Sequence, residues 1–162
     1  METSIFNYGE LPEYEKFTPK NISKQFPDVL EKINKDFKNI EKNLSNYLIQ
    51  KDLTWDKVIN PLNEVNEVLR WSWGVISHLN AVNNSESLRD IYSKFLPEII
   101  CLSNRFGQSK IIYNSLVKLK ETNNFDQIKN RILDKEILEM QHRGISLQKS
   151  DQEEFNNISE KL

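Results

Sequence analysis

The sequence predicts an all-α fold: an antiparallel bundle of about six helices, several of them long and kinked by proline. Three observations predict it. The 162 residues include only 4 glycines and 5 prolines, too few for the turns of a β-rich domain. Apolar residues recur at steps of three and four along most of the chain. No Asn-Gly or Asp-Gly pair separates alternating apolar runs, so nothing signals a β-hairpin.

Residues 1–18 read as an irregular segment, and 19–162 as a single helical domain. Thr18 followed by Pro19 is a strong helix start, a hydroxyl cap and then a preset φ. From there Ile22, Phe26, Leu30, Ile33, Phe37, Ile40, Leu44 and Leu48 form one stripe along a helix of about 30 residues. Pro27 is expected to bend that helix or split it. Thr54 opens a second helix carrying Leu62, Val65, Leu69, Trp73, Ile76 and Leu79, with Pro61 near its first turns. "NNS" at 83–85 ends it and offers Ser85 as the next cap. The third helix runs through Leu88, Tyr92, Phe95, Ile99, Leu102 and Phe106, past Pro97, to Gly107. A fourth over about 108–121 uses Ile111, Ile112, Leu116 and Leu119. A fifth uses Ile128, Ile132, Ile137 and Met140, and Arg143-Gly144-Ile145 closes it in a Schellman turn. Ser150 with Glu153 is expected to form a capping box for a sixth helix, still running at Leu162.

Net charge is −2 with acids and bases interspersed, so the basic footprint of a nucleic-acid binder is missing. Cys101 is the only cysteine, which excludes an internal disulfide and a thiolate metal cluster. The first residues lack the apolar core of a secretory signal, and no run of 18 apolar residues spans a membrane. The expectation is a cytoplasmic protein that engages neither nucleic acid nor membrane.

"RWSWGVISHLNAVNN" at 70–84 invites a reactive reading, which its chemistry does not support. A helical zinc motif needs two histidines four apart with a glutamate between them. His78 and His142 each lack such a partner. His78 is expected to pack, and with Asn80 to hydrogen-bond between helices. Trp71 and Trp73 lie about 200° apart on a helix, which places Trp73 in the core and Trp71 toward another face. Gly74 reads as a close approach of a second helix. The nucleophile-elbow and phosphate-loop motifs are absent. The expected catalytic, cofactor-binding and metal-ligand sets are therefore all empty.

The same stretch resembles the thimet oligopeptidase / oligopeptidase A family of zinc metallopeptidases in its N-terminal region. The resemblance rests on Trp73, Ser77, His78, Leu79, Asn80, Val82, Asn84, Ser85, Leu88, Arg89, Leu96 and Pro97. "LPEYEKFTPKNI", "TWDKVINPL" and "RGISL" follow the family in order, so the likeness runs from about residue 11 onward. Val75 stands where the family often has proline, and "LEMQHRGISL" departs from its usual segment. The resemblance implies an N-terminal fragment of a larger peptidase. Its zinc would be held by HExxH and a downstream glutamate in polypeptide outside this chain. It also implies that these helices form part of the wall of a channel admitting short peptides, with the rest of the peptidase as partner. The alternative is a free-standing helical protein–protein interaction module. A small independent enzyme is a third possibility.

Overall fold

A computed structural model describes residues 4–161, and all regular structure among them is helical. After a 3-10 turn at Tyr14–Lys16 come α1 (Pro19–Gln50), α2 (Trp55–Val82), α3 (Glu86–Gly107), α4 (Lys110–Thr122), α5 (Gln127–His142) and α6 (Lys149–Lys161). The all-α expectation holds. The expectation that the last helix runs on at Leu162 concerns a residue outside those described. The chain forms two compact units: Met1–Lys38 with Leu62–Leu96, and Asn39–Pro61 with Pro97–Leu162.

In the first unit, Ile22, Phe26, Ile33 and Phe37 of α1 are fully buried, and Leu30 nearly so. Burying each such side chain stabilises by roughly 1.5–3 kcal/mol. Thr18 Oγ1 accepts from Asn21 N–H at 3.3 Å, so the predicted start holds. Of the bend or split expected at Pro27, the split does not occur: α1 continues through it. Proline removes one helical hydrogen bond there, while Phe26 and Leu30 on either side are anchored in the core. Phe26 lies at the centre of a ring cluster, 5.4 Å from Phe6, 6.0 Å from Trp73 and 5.1 Å from Phe95. Trp73 in turn stacks on Tyr92 at 4.8 Å, and Trp71 meets Phe17 edge-on at 6.3 Å. The two tryptophans meet different rings, as their angular separation requires. Neither is fully buried, however; beside them on α2, Ser72 and Ile76 are.

In the second unit the core comes from Ile40 and Leu44, Val58 and Ile59, Ile99 and Leu102, and then α4 and α5. Ser109 caps α4, accepting from Ile112 N–H. α4 buries Ile112, Ser115, Leu116 and Leu119. The stripe expected on α5 holds at Met140 and fails at Ile128 and Ile132. Leu133 and Met140 are its buried residues, whereas Ile128 is 73% exposed and Ile132 38%. Leu133 lies about 100° around the helix from Ile132, so one face excludes the other. α5 packs on α4, with Gln141 donating to the Tyr113 hydroxyl at 3.1 Å and Lys120 paired with Asp134.

The Schellman turn after α5 is present. Ile145 N–H donates to Met140 C=O at 3.2 Å, Gly144 N–H to Gln141 C=O at 3.0 Å, and Gly144 sits at φ 83°. An equivalent turn ends α1 without a glycine. Asp52 N–H reaches Tyr47 C=O and Lys51 takes φ 56°. The capping box expected at Ser150 is absent. α6 begins at Lys149, so Ser150 lies inside its first turn and donates to Asp151 instead.

Two mid-chain glycines have opposite surroundings. A Cβ added at Gly74 would meet nothing within 4 Å, so no helix approaches it, contrary to expectation. At Gly107 the same atom would fall 2.1 Å from Arg143 Cδ and 2.9 Å from its Cβ. Gly74→Ala is therefore expected to raise stability by up to about 1 kcal/mol. Gly107→Ala should lower it by about 1–3 kcal/mol through overpacking. Urea unfolding of the two variants reads both signs, and matching signs would contradict the packing described.

On α5, burial of Glu136, reinforced by the charge of Glu139, holds its carboxyl above the usual glutamate range, against the opposing effect of Lys135. The folded state thus binds the proton more tightly than the unfolded chain. Its stabilising contribution is present below the ordinary glutamate pKa and lost as pH rises through the folded value. Glu136→Gln should raise the melting temperature at about pH 7 and leave it nearly unchanged at about pH 4. Equal shifts at both pH values would rule out proton linkage at this residue.

Candidate functional site

The most distinctive stretch of sequence is a helix-to-helix turn. α2 ends at Val82, and Asn83 N–H closes on Leu79 C=O at 2.8 Å. Asn84 then reaches back, its Nδ2 donating to Asn80 C=O at 2.9 Å, while its Oδ1 accepts from Arg89 Nη1. Ser85 Oγ accepts from Leu88 N–H at 3.3 Å and caps α3. One asparagine thus ties the last turn of α2 to the first turn of α3. The asparagine, serine and arginine serve this connection, and none is left over for a reacting group.

His78 is exposed and makes no hydrogen bond among the described residues; its ring lies 5.7 Å from that of Tyr14. The expected interhelical bonds of His78 and Asn80 are not formed. The buried face of α2 runs through Val75, Ile76 and Leu79, leaving position 78 on the solvent side. The Asn80 side-chain oxygen is buried and has no hydrogen-bond partner among the described residues. No three His, Cys, Asp or Glu side chains among the described residues converge to hold a metal. Among the described residues no set fits a zinc ion.

The second unit contains a cavity of about 490 Å³ lined by both polar and apolar surface. The start of α4 forms one side of it and Asn156 and Glu160 of α6 another. Ser109 Oγ donates to Glu41 Oε1 at 2.7 Å, and Arg105 Nη2 lies 3.3 Å from Glu41 Oε2. Gln108 and Asn156 exchange amide hydrogen bonds of 2.8 and 3.2 Å, and Gln108 also donates to Arg143 C=O. Cys101 lies exposed at the cavity. No histidine lines it, and Glu41 is already held by a cation and a hydroxyl. The arrangement can bind a polar molecule, and Glu160 is its lining carboxylate that makes no hydrogen bond or ion pair among the described residues.

Sequence reasoning singled out none of these cavity residues as a site. Ser109, two residues before the Ile111–Ile112 pair, carries a recognisable N-cap signal. Asn104 is 6% exposed yet lies off the Phe95, Ile99 and Leu102 stripe, so periodicity gives no notice of its burial.

With this geometry in place, similarity to known proteins becomes interpretable. Residues 26–152 match the model of the neurolysin/thimet oligopeptidase N-terminal domain. The chain belongs to this family. It is 29% identical over its whole length to oligopeptidase A of Haemophilus influenzae and 28% to that of Escherichia coli, covering 23% of each. It is 27% identical to a probable cytosolic oligopeptidase A of Arabidopsis thaliana, with 94% of the chain aligned to 21% of that protein. The chain thus spans less than a quarter of these relatives. In this oligopeptidase N-terminal domain, the residues that carry the family resemblance around 77–89 build a turn.

Ser85→Ala is expected to cost about 1 kcal/mol through loss of the α3 cap. His78→Ala should change stability by less than about 0.5 kcal/mol. Denaturant midpoints of the two variants provide the measurement, and a larger effect at His78 would contradict its exposed placement.

Proposed function

We propose that this chain is the non-catalytic helical domain, covering 19–162, of a cytoplasmic zinc-dependent oligopeptidase. In this reading its helices form part of the wall of the substrate channel and limit entry to short peptides. The observation that carries the proposal is similarity to oligopeptidase A along the whole chain, over less than a quarter of the relative's length. The metal chemistry then belongs to polypeptide outside this chain, in keeping with the lack of a convergent ligand set among the described residues. No described helix is long and apolar enough to cross a membrane. In the second unit Ile49 and Ile128 are 80% and 73% exposed, apolar surface that the remainder of a peptidase would cover.

The test uses the isolated 162-residue chain and a complementing oligopeptidase A that lacks its first quarter. Alone, the chain is expected to carry substoichiometric zinc and to cleave no fluorogenic peptide. Mixed, the two pieces should associate and hydrolyse short peptides. One equivalent of zinc on the isolated chain, turnover by it, or failure of the pieces to associate would sink the proposal.

A further inference from the structure

We infer that the outer face of α2 docks a helix of the polypeptide that completes the peptidase, with the close approach at Gly74. The inference rests on the proposed reading of the chain as part of an oligopeptidase, and adds which face makes the contact. From Trp71 to Ser85 the chain runs 15 residues without an Asp, Glu, Lys or Arg, although 28% of its residues are charged. Elsewhere no uncharged run exceeds 8 residues. Ser72, Val75, Ile76 and Leu79 account for the inner side of this run, because they are buried. The outer side has no such account. Trp71, Gly74, His78 and the Ala81–Val82 pair follow one another at steps of three and four, so they share a face. Gly74, His78, Ala81 and Val82 are exposed, and Trp71 is half-buried. A helix without charge on any side has the pattern of a buried helix, not of one with a solvated face.

Gly74 adds a second observation. A glycine in mid-helix weakens the helix, and a Cβ built there meets nothing within 4 Å. Nothing in this chain therefore requires the missing side chain, which leaves bare backbone at the centre of the uncharged face. A helix crossing there can bring its axis to about 8 Å, the near end of the usual range. The size of the face selects the occupant. From Trp71 to Val82 it is about 17 Å long, and at one helix width it offers roughly 200 Å². Separate molecules that associate stably bury about 800 Å² each. A contact this small holds as one part of a larger interface within a single protein. The bacterial relatives have the polypeptide for it: this chain corresponds to 23% of each, so the other 77% lies outside it.

The test places Gly74→Leu and Ala81→Lys separately in the 162-residue chain, with Ser93→Leu at an exposed position of α3 as control. Each variant is titrated with an oligopeptidase A that lacks its first quarter, and the isolated chains are sedimented. Gly74→Leu should melt at or above the parent temperature, since leucine favours the helix and meets no neighbour. It should nevertheless weaken association by about ten-fold or more, through overpacking at the crossing. Ala81→Lys should weaken association as well, and Ser93→Leu should leave it unchanged. If the parent chain associates and both α2 variants bind as tightly, the inference fails and the oligopeptidase reading stands. If the parent chain does not associate, both fail together. A dimer of the isolated chain that Gly74→Leu breaks would assign the face to a second copy. Unchanged association with a raised KM for a short peptide would assign it to the substrate channel. Either result overturns the inference.

Discussion

A single apolar stripe on α1 sets the terms for everything packed on it. Ile22, Phe26, Leu30, Ile33, Phe37, Ile40 and Leu44 are all buried, at steps of three and four. The stripe serves both units, its residues up to Phe37 in the first and Ile40 and Leu44 in the second. Rotating the helix by one residue would turn the side chains about 100° and expose the phenylalanines. That register is strongly enforced, because each buried side chain contributes roughly 1.5–3 kcal/mol. It tolerates Pro27, because one missing backbone bond is small beside the core anchored around it.

Polar side chains do a different job in the two units. In the first, Asn84, Ser85 and Arg89 close the α2–α3 connection, so a run of residues that looks chemical in sequence is spent on a turn. In the second, Glu41, Arg105 and Ser109 join α1, α3 and the start of α4 around a cavity. Ser109 acts twice: its oxygen caps α4 and its proton goes to Glu41. A half-buried pair such as Arg105–Glu41 contributes about 1 kcal/mol or less, so its value lies in placing groups more than in stability.

The helices were legible in the sequence because their apolar period and caps are local. Thr18, Thr54 and Ser85 each accept from a first-turn N–H, as their positions suggest. Failures occurred where a helix has two apolar faces or where tertiary space decides. On α5, Ile128 and Ile132 outcompete Leu133 in a stripe count, yet Leu133 is the residue that is buried. Gly74 and Gly107 look alike in sequence and differ only in what stands beside them. Lys51 takes a left-handed conformation that its residue type does not announce. The cavity was least legible of all: Asn104 and Glu41 come from separate helices, and no spacing rule joins them.

The way each unit is assembled decides how long its parts wait for one another as the chain leaves the ribosome. All of the first unit has been synthesised once Leu96 is made. The segment 39–61, by contrast, belongs with residues 97–162 and is made long before them. At roughly 5–20 residues per second, Val58 and Ile59 wait several seconds for their partners to emerge. During translation, that interior stretch is where a chaperone would find nascent apolar surface.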